Sequence, residues 1–549
     1  MKNWQAAAMA ISLAAMPRIA IAGDFETCDG YTAPGKTDGM TEGTWLWGLA
    51  TATVDKRPTN IVLSEAGLEA CDRALSDPTL TQSFSLRRAH LLQAKSLHAL
   101  SVSNYDLALE VLKQSDELGK ADPLFANSLG LGNRAIRAYA LSDMGHKDAA
   151  LQEVDKILQA RPWSASIRRL TLRLRLKIDD ASAASSLRND MPLIPEDAFP
   201  LFWQSFVRGE YGSALSYAPA VSWELPKKRG GWTFDNEQQT QLEMIEGRAE
   251  FAGARGFALA VSGHQQEAAA VFQEAEDQLS EALAQPVGSE PGKPASKRDI
   301  EAWKWRTPYA QVAQNKLARW RQAVDFISND GADSLETTLQ AFSTAPIAKL
   351  PILPAIVNRA KVNSPEELNQ RDKLLEAYRE KVDETSKQAA AFTLLSLARA
   401  LPRHQTAKMI PVLKRAGDGY FLSDTGLSRA REGDTDIWTI RFVHKYAPIE
   451  VVEEMAMFGA ATTALAQGKD SVLVLSRRSA NLTTRVMSYY RPIGDVASGY
   501  EAQMRVQLVN ATEIPASLVG MEWRLLKAKD IVDSLSKRYR QSGGVTIAW

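Results

Sequence analysis

The segment Gly30-Tyr31-Thr32-Ala33-Pro34-Gly35-Lys36-Thr37 has the residue types and spacing of a phosphate-binding P-loop. In a working P-loop, backbone N–H groups and a helix N-terminus point at the phosphates, which demands a buried strand before the loop and a helix after it. Here Gly23-Asp24-Phe25-Glu26-Thr27 precedes, without an apolar strand, and Asp38-Gly39-Met40-Thr41-Glu42-Gly43 follows, with glycines where a helix would start. We therefore read the segment as a loop without nucleotide chemistry. Gly130-Leu131-Gly132-Asn133-Arg134-Ala135 imitates a dinucleotide fingerprint, but no strand leads into it, and it reads as a turn opening a helix.

Other chemistries fare no better. The six histidines, His90, His98, His146, His264, His404 and His444, lack the His-Glu-x-x-His arrangement and a cysteine partner, so no metal site is expected. No Gly-x-Ser-x-Gly elbow occurs. The only cysteines, Cys28 and Cys71, are expected to form a disulfide, which removes both as nucleophiles. Paired carboxylates leave no spacing signature; Glu450, Glu453 and Glu454 fall at a helix start, where the helix dipole accounts for them without chemistry. The expectation is a protein that is not an enzyme and carries no cofactor. Two features suggest a binding surface instead. Arg168, Arg169, Arg173, Arg175 and Lys177 form a dense basic cluster, either a face for an acidic partner or an ordinary solvated helix face. Trp223, Trp232, Trp303, Trp305 and Trp320 are either interface anchors or core residues.

The elements that must position these residues are mostly helical. With 549 residues, 45% hydrophobic and 24% charged, the chain exceeds a single core and has ordinary globular usage. Basic and acidic residues balance at 65 each, so nothing draws the whole protein to nucleic acid. From Leu86 the apolar positions repeat as helical hairpins. One hairpin turns at Ser103 and continues through Ala108 and Leu112. A second turns at Gly145 and continues through Ala150 and Val154, closing at Pro162. A third turns at Gly263 and continues through Ala268 and Phe272. Ser166 to Ile178 alternates leucines as a strand would, but its neighbours favour a helix. The Pro/Gly-rich run Gln285 to Arg298 reads as a linker splitting the helical body.

The spacing of a turn residue, an alanine five residues on and a larger residue four beyond it resembles the tetratricopeptide repeat. The resemblance implies stacked hairpins in which alanine lets helices cross closely. Ala108 and Ala150 lie farther apart than one repeat of that family, so the array is irregular. After Asp434 the pattern changes. Ile437 to Tyr446 alternates, Ile449 to Gln467 reads as a helix ended by Gly468, and Ser471 to Ser476, Thr483 to Tyr490 and Glu501 to Val509 read as strands. A helix through Ile531, Val532 and Leu535 follows. This order weakly resembles small envelope lipoproteins of Gram-negative bacteria, without their lipidation cysteine.

Lys2, the apolar run Ala6 to Met16 and Ala20-Ile21-Ala22 have the order of a secretory signal peptide cut after Ala22. No later run is long enough to span a bilayer. The expected organisation is therefore a signal peptide (1–22), an N-terminal disulfide segment (23–80), tetratricopeptide-like hairpins (81–284), a linker (285–300), a second helical block (301–433) and a small C-terminal α/β domain (434–549). The fold class is mainly α, a helical-hairpin solenoid followed by that domain. The expected function is a periplasmic or secreted adaptor or scaffold that binds a protein partner in envelope assembly or secretion. The alternative is an envelope enzyme or polysaccharide-binding protein with its site between the helical body and the C-terminal domain.

Overall fold

The computed structural model describes residues 23–35, 38–40, 43–45, 50–52, 62–178, 189, 191–221, 236–287, 294–328, 334–389, 392–405, 409–410, 426–488, 491–515 and 522–541. The leader read at 1–22 lies outside them. The first helix, α1 (Asp24–Cys28), is tied to α2 (Glu65–Ser76) by a disulfide between Cys28 and Cys71. Between these helices the short strands β1 (Gly43–Trp45) and β2 (Ala50–Ala52) pair antiparallel. At a sequence separation of 43, the crosslink contributes about 4 kcal/mol by restricting the unfolded chain.

Helical hairpins follow. The pairs are α3 (Ser85–Ser101) with α4 (Tyr105–Gly119), and α5 (Leu129–Asp143) with α6 (Lys147–Ala160). Next come α7 (Ala165–Ile178), the short pair α8 (Ala198–Val207) and α9 (Tyr211–Tyr217), and the long pair α10 (Asn236–Val261) and α11 (Gln265–Leu283). Four turns share one construction. Ser103, Gly145, Gly209 and Gly263 take φ of 58°, 82°, 78° and 87°. The following N–H of Asn104, His146, Glu210 and His264 donates back to the carbonyls of Ala99, Leu141, Ser205 and Leu259, at 2.8 to 3.0 Å. This left-handed closure satisfies carbonyls that the helix end would leave bare, and only glycine adopts it without strain. Ser103 therefore carries about 1 kcal/mol of backbone cost. Five residues past each turn, Ala108, Ala150, Ala214 and Ala268 are at most 2% exposed, so the paired helices meet closely at an alanine. The α8/α9 hairpin escapes a sequence search because α9 is short and the position four beyond Ala214 is Ala218, not a bulky residue.

The run Gln285 to Arg298, of which 288–293 lie outside the described residues, joins elements of one core. Helices α10 and α11 before it and α12 (Lys297–Ser328) after it pack together around Trp320, which is fully buried. Phe206 meets the Trp320 ring edge-on at 5.5 Å and Phe257 lies at 5.8 Å. Gly253 leaves room for that ring, since a Cβ there would come within 2.1 Å of it. Then come α13 (Leu335–Thr344), α14 (Leu353–Arg359), α15 (Pro365–Ala389) and α16 (Leu394–Ala400). Thr393 caps α16 by accepting the Ser396 N–H. Phe392, Leu397 and Leu401 then reach back into the core of the first hairpins, packing with residues such as Leu97, Leu170 and Leu174.

The C-terminal part is a five-stranded antiparallel sheet with two helices on one face. Strands β3 (Gly426–Arg431) and β4 (Ile437–His444) precede α17 (Ile449–Ala466). Strands β5 (Ser471–Ser488), β6 (Arg491–Val509) and β7 (Leu526–Lys527) precede α18 (Ala528–Gln541). The strand order is β3-β4-β6-β5-β7. The sheet thus takes in Gly426–Arg431, ahead of Asp434. β5 runs through both Ser471 to Ser476 and the described part of Thr483 to Tyr490, because the polar stretch Arg477 to Asn481 is strand as well. Register shifts at Val474/Ser476 and Leu482/Thr483 let this long β5/β6 hairpin bend. Gly468, at φ 70°, ends α17, with the Lys469 N–H donating to Ala464 O at 2.9 Å. Helix α17 is buried on nearly every side, as suits one apolar all round.

Candidate functional site

Three glutamates enter the interior on α17, and they decide how the sheet meets the hairpins. Glu454, fully buried, accepts from Arg161 at 3.0 Å, from the Tyr539 hydroxyl at 2.6 Å and from Arg538. Arg161 is itself 1% exposed and donates also to Asn127 O at 2.7 Å. Burial works against the Arg161 charge, but Glu454 outweighs it and holds the guanidinium above its ordinary range. Burial, with Glu454 beside it, pushes the Tyr539 hydroxyl well up. Glu453 accepts from Ser164 Oγ at 2.9 Å, Ser166 N at 2.8 Å and Ser479 Oγ at 2.8 Å, and pairs with Arg477 at 3.0 Å. Burial pushes its carboxyl up, yet Arg477 and these donors prevail and hold it below the usual carboxylate range. Helix-dipole placement therefore does not describe these groups. They bolt α17, α18 and β5 to the corner between α6 and α7.

Beside this junction lies a cleft of about 800 Å³. Its walls come from α3 (His90, Leu97), α7 (Arg169, Leu170, Arg173), the sheet (Ser479, Asn481, Tyr500) and α17 (Glu450). Helix α16 and the segment after it add Arg399, Arg403 and His404, and the segment after α1 adds Asp29 and Tyr31. Asp29 is 1% exposed and accepts from both terminal nitrogens of the buried Arg87, at 2.5 and 3.0 Å. It also bonds His90 Nδ1 at 2.8 Å and the Tyr31 N–H at 3.1 Å, and Tyr31 meets the His90 ring edge-on at 5.4 Å. The disulfide at Cys28 holds this segment down, helped by His98. His98 Nδ1 accepts from Ser64 N at 3.1 Å, so its Nε2 carries the proton donated to Cys28 O at 2.8 Å. Burial keeps that imidazole's pKa below the ordinary value.

Across the cleft, the Arg403 N–H donates to Glu450 at 3.1 Å and its guanidinium lies over the Tyr500 ring at 4.9 Å. His404 differs from every other group there: both ring nitrogens are buried and neither has a hydrogen-bond partner. Burial lowers its pKa; Asp38 opposes this and His90 adds to it, so the ring is neutral.

The basic cluster is divided by the fold. Arg169 pairs with Asp197 at 3.1 Å and with Glu196; Arg175 pairs with Asp155; Lys177 pairs with Asp143 at 2.7 Å and lies over the Tyr139 ring at 4.2 Å. Arg168 donates to Pro162 O at 2.8 Å and Asn189 O at 3.2 Å. Only Arg173, exposed on the cleft wall, makes no hydrogen bond or ion pair among the described residues. Of the tryptophans, Trp320 is core, Trp303 is half-buried and donates to Leu283 O at 2.9 Å, and Trp305 is 65% exposed. Trp223 and Trp232 lie outside the described residues, as do Lys36 and Thr37 of the P-loop look-alike. The described part of that loop follows α1, not a strand. His146 and His264 sit in the turns at Gly145 and Gly263; His444 Nδ1 accepts from Tyr446 N at 3.0 Å and Ala447 N at 2.7 Å.

Sequence spacing does not lead to Asp29, His90, Arg399, Arg403, His404 or Tyr500 as a group, because they come from five separate elements. The one local signal is that Asp29 follows a disulfide cysteine. A second cavity, about 850 Å³, lies between α10, α11 and the sheet, with Phe251, Leu279, Leu473 and Arg524 among its lining. Among the described residues no three His, Cys, Asp or Glu side chains are placed to hold a metal ion, and no helix is long and apolar enough to cross a membrane. The chain matches no family model, and no curated protein and no solved structure matches it.

Proposed function

We propose that this chain is an exported envelope protein that holds a non-protein ligand in the cleft between its helical hairpins and its C-terminal sheet. The cleft itself carries the reading. It combines a histidine whose ring nitrogens are buried with arginines and an aromatic ring, and is walled by elements that buried ion pairs lock together. Ligand sites favour such places between packed units. A solenoid that captures a protein keeps its groove open, whereas here α16 packs against α3 and α7, and α17 packs against α7. Export rests on the residues read at 1–22 and agrees with a disulfide, which persists in oxidising compartments. The four equivalent turns, each with its buried alanine, support the tetratricopeptide-like reading of the hairpins. No catalytic step is assigned to the cleft.

One observation favours the adaptor reading. On α12, Trp305, Pro308 and Val312 stand exposed at positions i, i+3 and i+7 of one face, the pattern of a helix offered to a protein partner. A thermal-shift screen of the full chain against glycans, carboxylates and phosphate esters separates the two. A ligand at one hundred times its Kd stabilises by about 2.7 kcal/mol, and Tyr500→Ala should abolish that shift. If no small ligand acts and a stoichiometric protein partner is lost with Trp305→Ala, the adaptor reading replaces the cleft.

A further inference from the structure

We propose that the second cavity, between α10, α11 and the sheet, is a separate ligand site that takes a fatty acid, its chain against the apolar walls and its carboxylate on Arg255. The site is independent of the cleft, since the two cavities share no lining residue. The sheet offers a second apolar surface here. Along β5, Val472 and Val474 join the core with α17, so Leu473 and Leu475 turn to the other side. The helices opposite present short side chains, Ala249 and Ala252 on α10 and Ala275 on α11, and about 850 Å³ is left between the walls. Arg524 holds the walls together. It is buried and donates to Pro219 O at 3.1 Å and to Val474 O at 2.8 Å. Val221, Ile245, Ala252 and Val271 on one side, and Ile437 and Leu475 on the other, are half-buried and line the space. Apolar surface left half-covered by protein is what a hydrocarbon chain covers, and the volume lies within the roughly 300–1,000 Å³ of ligand pockets.

The charged groups around this apolar space are mostly basic. Arg248, Arg255, Arg306, Arg505 and Arg524 line it, against Glu274 and Glu281. Glu432 accepts twice from Arg505 at 2.9 Å and cancels that charge. Glu274 and Glu281 are exposed, where water screens them, whereas Arg255 and Arg306 are half-buried. Arg306 donates to a neutral carbonyl, Ala282 O at 2.9 Å, which leaves its charge in place. Arg255 makes no hydrogen bond or ion pair among the described residues. The field therefore favours an anion, and the Arg255 guanidinium suits a carboxylate held by two parallel N–H bonds. Apolar walls and a half-buried cation together select a molecule with both a chain and an acid head. A sugar acid lacks the chain, and a neutral lipid lacks the head.

The test is calorimetric titration of the full chain with decanoate, hexanoate and 1-decanol, each below its aggregation concentration, on the native chain and on Ala252→Trp, Arg255→Ala and Tyr500→Ala. Each buried methylene tightens binding about fourfold, so decanoate should bind at least about tenfold more tightly than hexanoate. It should exceed 1-decanol by about fivefold, and Arg255→Ala should erase most of that preference. Ala252→Trp fills the cavity and should abolish decanoate binding. Circular dichroism and urea midpoint report whether that variant folds; if it does not, the chain-length series and Arg255→Ala decide. Tyr500→Ala, in the other cleft, should leave decanoate binding unchanged. No binding of decanoate, equal binding of decanoate and hexanoate, or a head-group preference untouched by Arg255→Ala overturns the inference. Binding lost in Tyr500→Ala and kept in Ala252→Trp also overturns it and moves the ligand to the first cleft.

Discussion

Replacing Glu454 by alanine should be among the most damaging single changes in this protein. The substitution removes a fully buried carboxylate and leaves Arg161, 1% exposed, bonded to Asn127 O and with the weaker influence of Glu450 in place of its direct ion pair. It also strips the Tyr539 hydroxyl and Arg538 of an acceptor. Breaking a buried pair from one side costs about 3–5 kcal/mol, because the surviving charge stays out of water. The attraction itself is not the main loss, and a second change exposes the difference. Replacing Arg161 and Glu454 together by methionine should recover the part of the loss that comes from the stranded Arg161 charge, since two apolar side chains of similar volume need no partner, while the Tyr539 hydroxyl and Arg538 still lack the carboxylate. Urea denaturation followed by tryptophan fluorescence measures both, and urea leaves the ion pairs unscreened. Hydrogen exchange in α18 should rise in Glu454→Ala before exchange in α5 does, because α18 is held to the hairpins through Arg538 and Tyr539. A loss under about 1 kcal/mol for Glu454→Ala, or a double variant as unstable as the sum of the singles, would refute the claim that this network locks the sheet to the hairpins.

Two further outcomes follow from particular side chains. Burial lowers the His444 pKa from 6.5 to about 4, so the folded chain keeps this ring neutral where the unfolded chain takes up a proton. Its contribution is complete above pH 6.5 and is lost as pH falls toward 4, by up to about 3 kcal/mol. His444→Asn, whose side-chain oxygen still accepts the Ala447 N–H, should flatten that slope in urea midpoints, and an unchanged slope would contradict the assignment. Ala214→Leu should destabilise by about 1–3 kcal/mol, because α8 and α9 meet at a fully buried alanine. The exposed neighbour Ser213→Leu should stay within about 0.5 kcal/mol, and equal effects would mean that the hairpin is not closely packed there.

The amino-acid sequence alone determined the local pieces. Gly145 and Gly263 announce their turns because a positive φ favours glycine, Ser103 is found only through the spacing to Ala108 and Leu112 after it, and the alanines five positions on announce the crossings because no larger side chain fits. Two cysteines in the whole chain sufficed for the disulfide. The alternating β4 and the apolar α17 closed by Gly468 were legible for the same reason: their signals lie within one element. The tertiary structure decided everything that depends on elements meeting. It carried Phe392 and Leu397 back into the first hairpins, joined the helices on either side of the Pro/Gly-rich run into one core, and turned Glu453 and Glu454 from residues at a helix start into buried bolts. It also divided the basic cluster, pairing Arg169, Arg175 and Lys177 while leaving Arg173 on the cleft wall, and brought His404 beside His90 and Tyr500. A sequence pattern records which residues share a face of their own helix or strand. It does not record which distant face will cover them, and burial, charge pairing and the shape of a cleft are properties of that second surface.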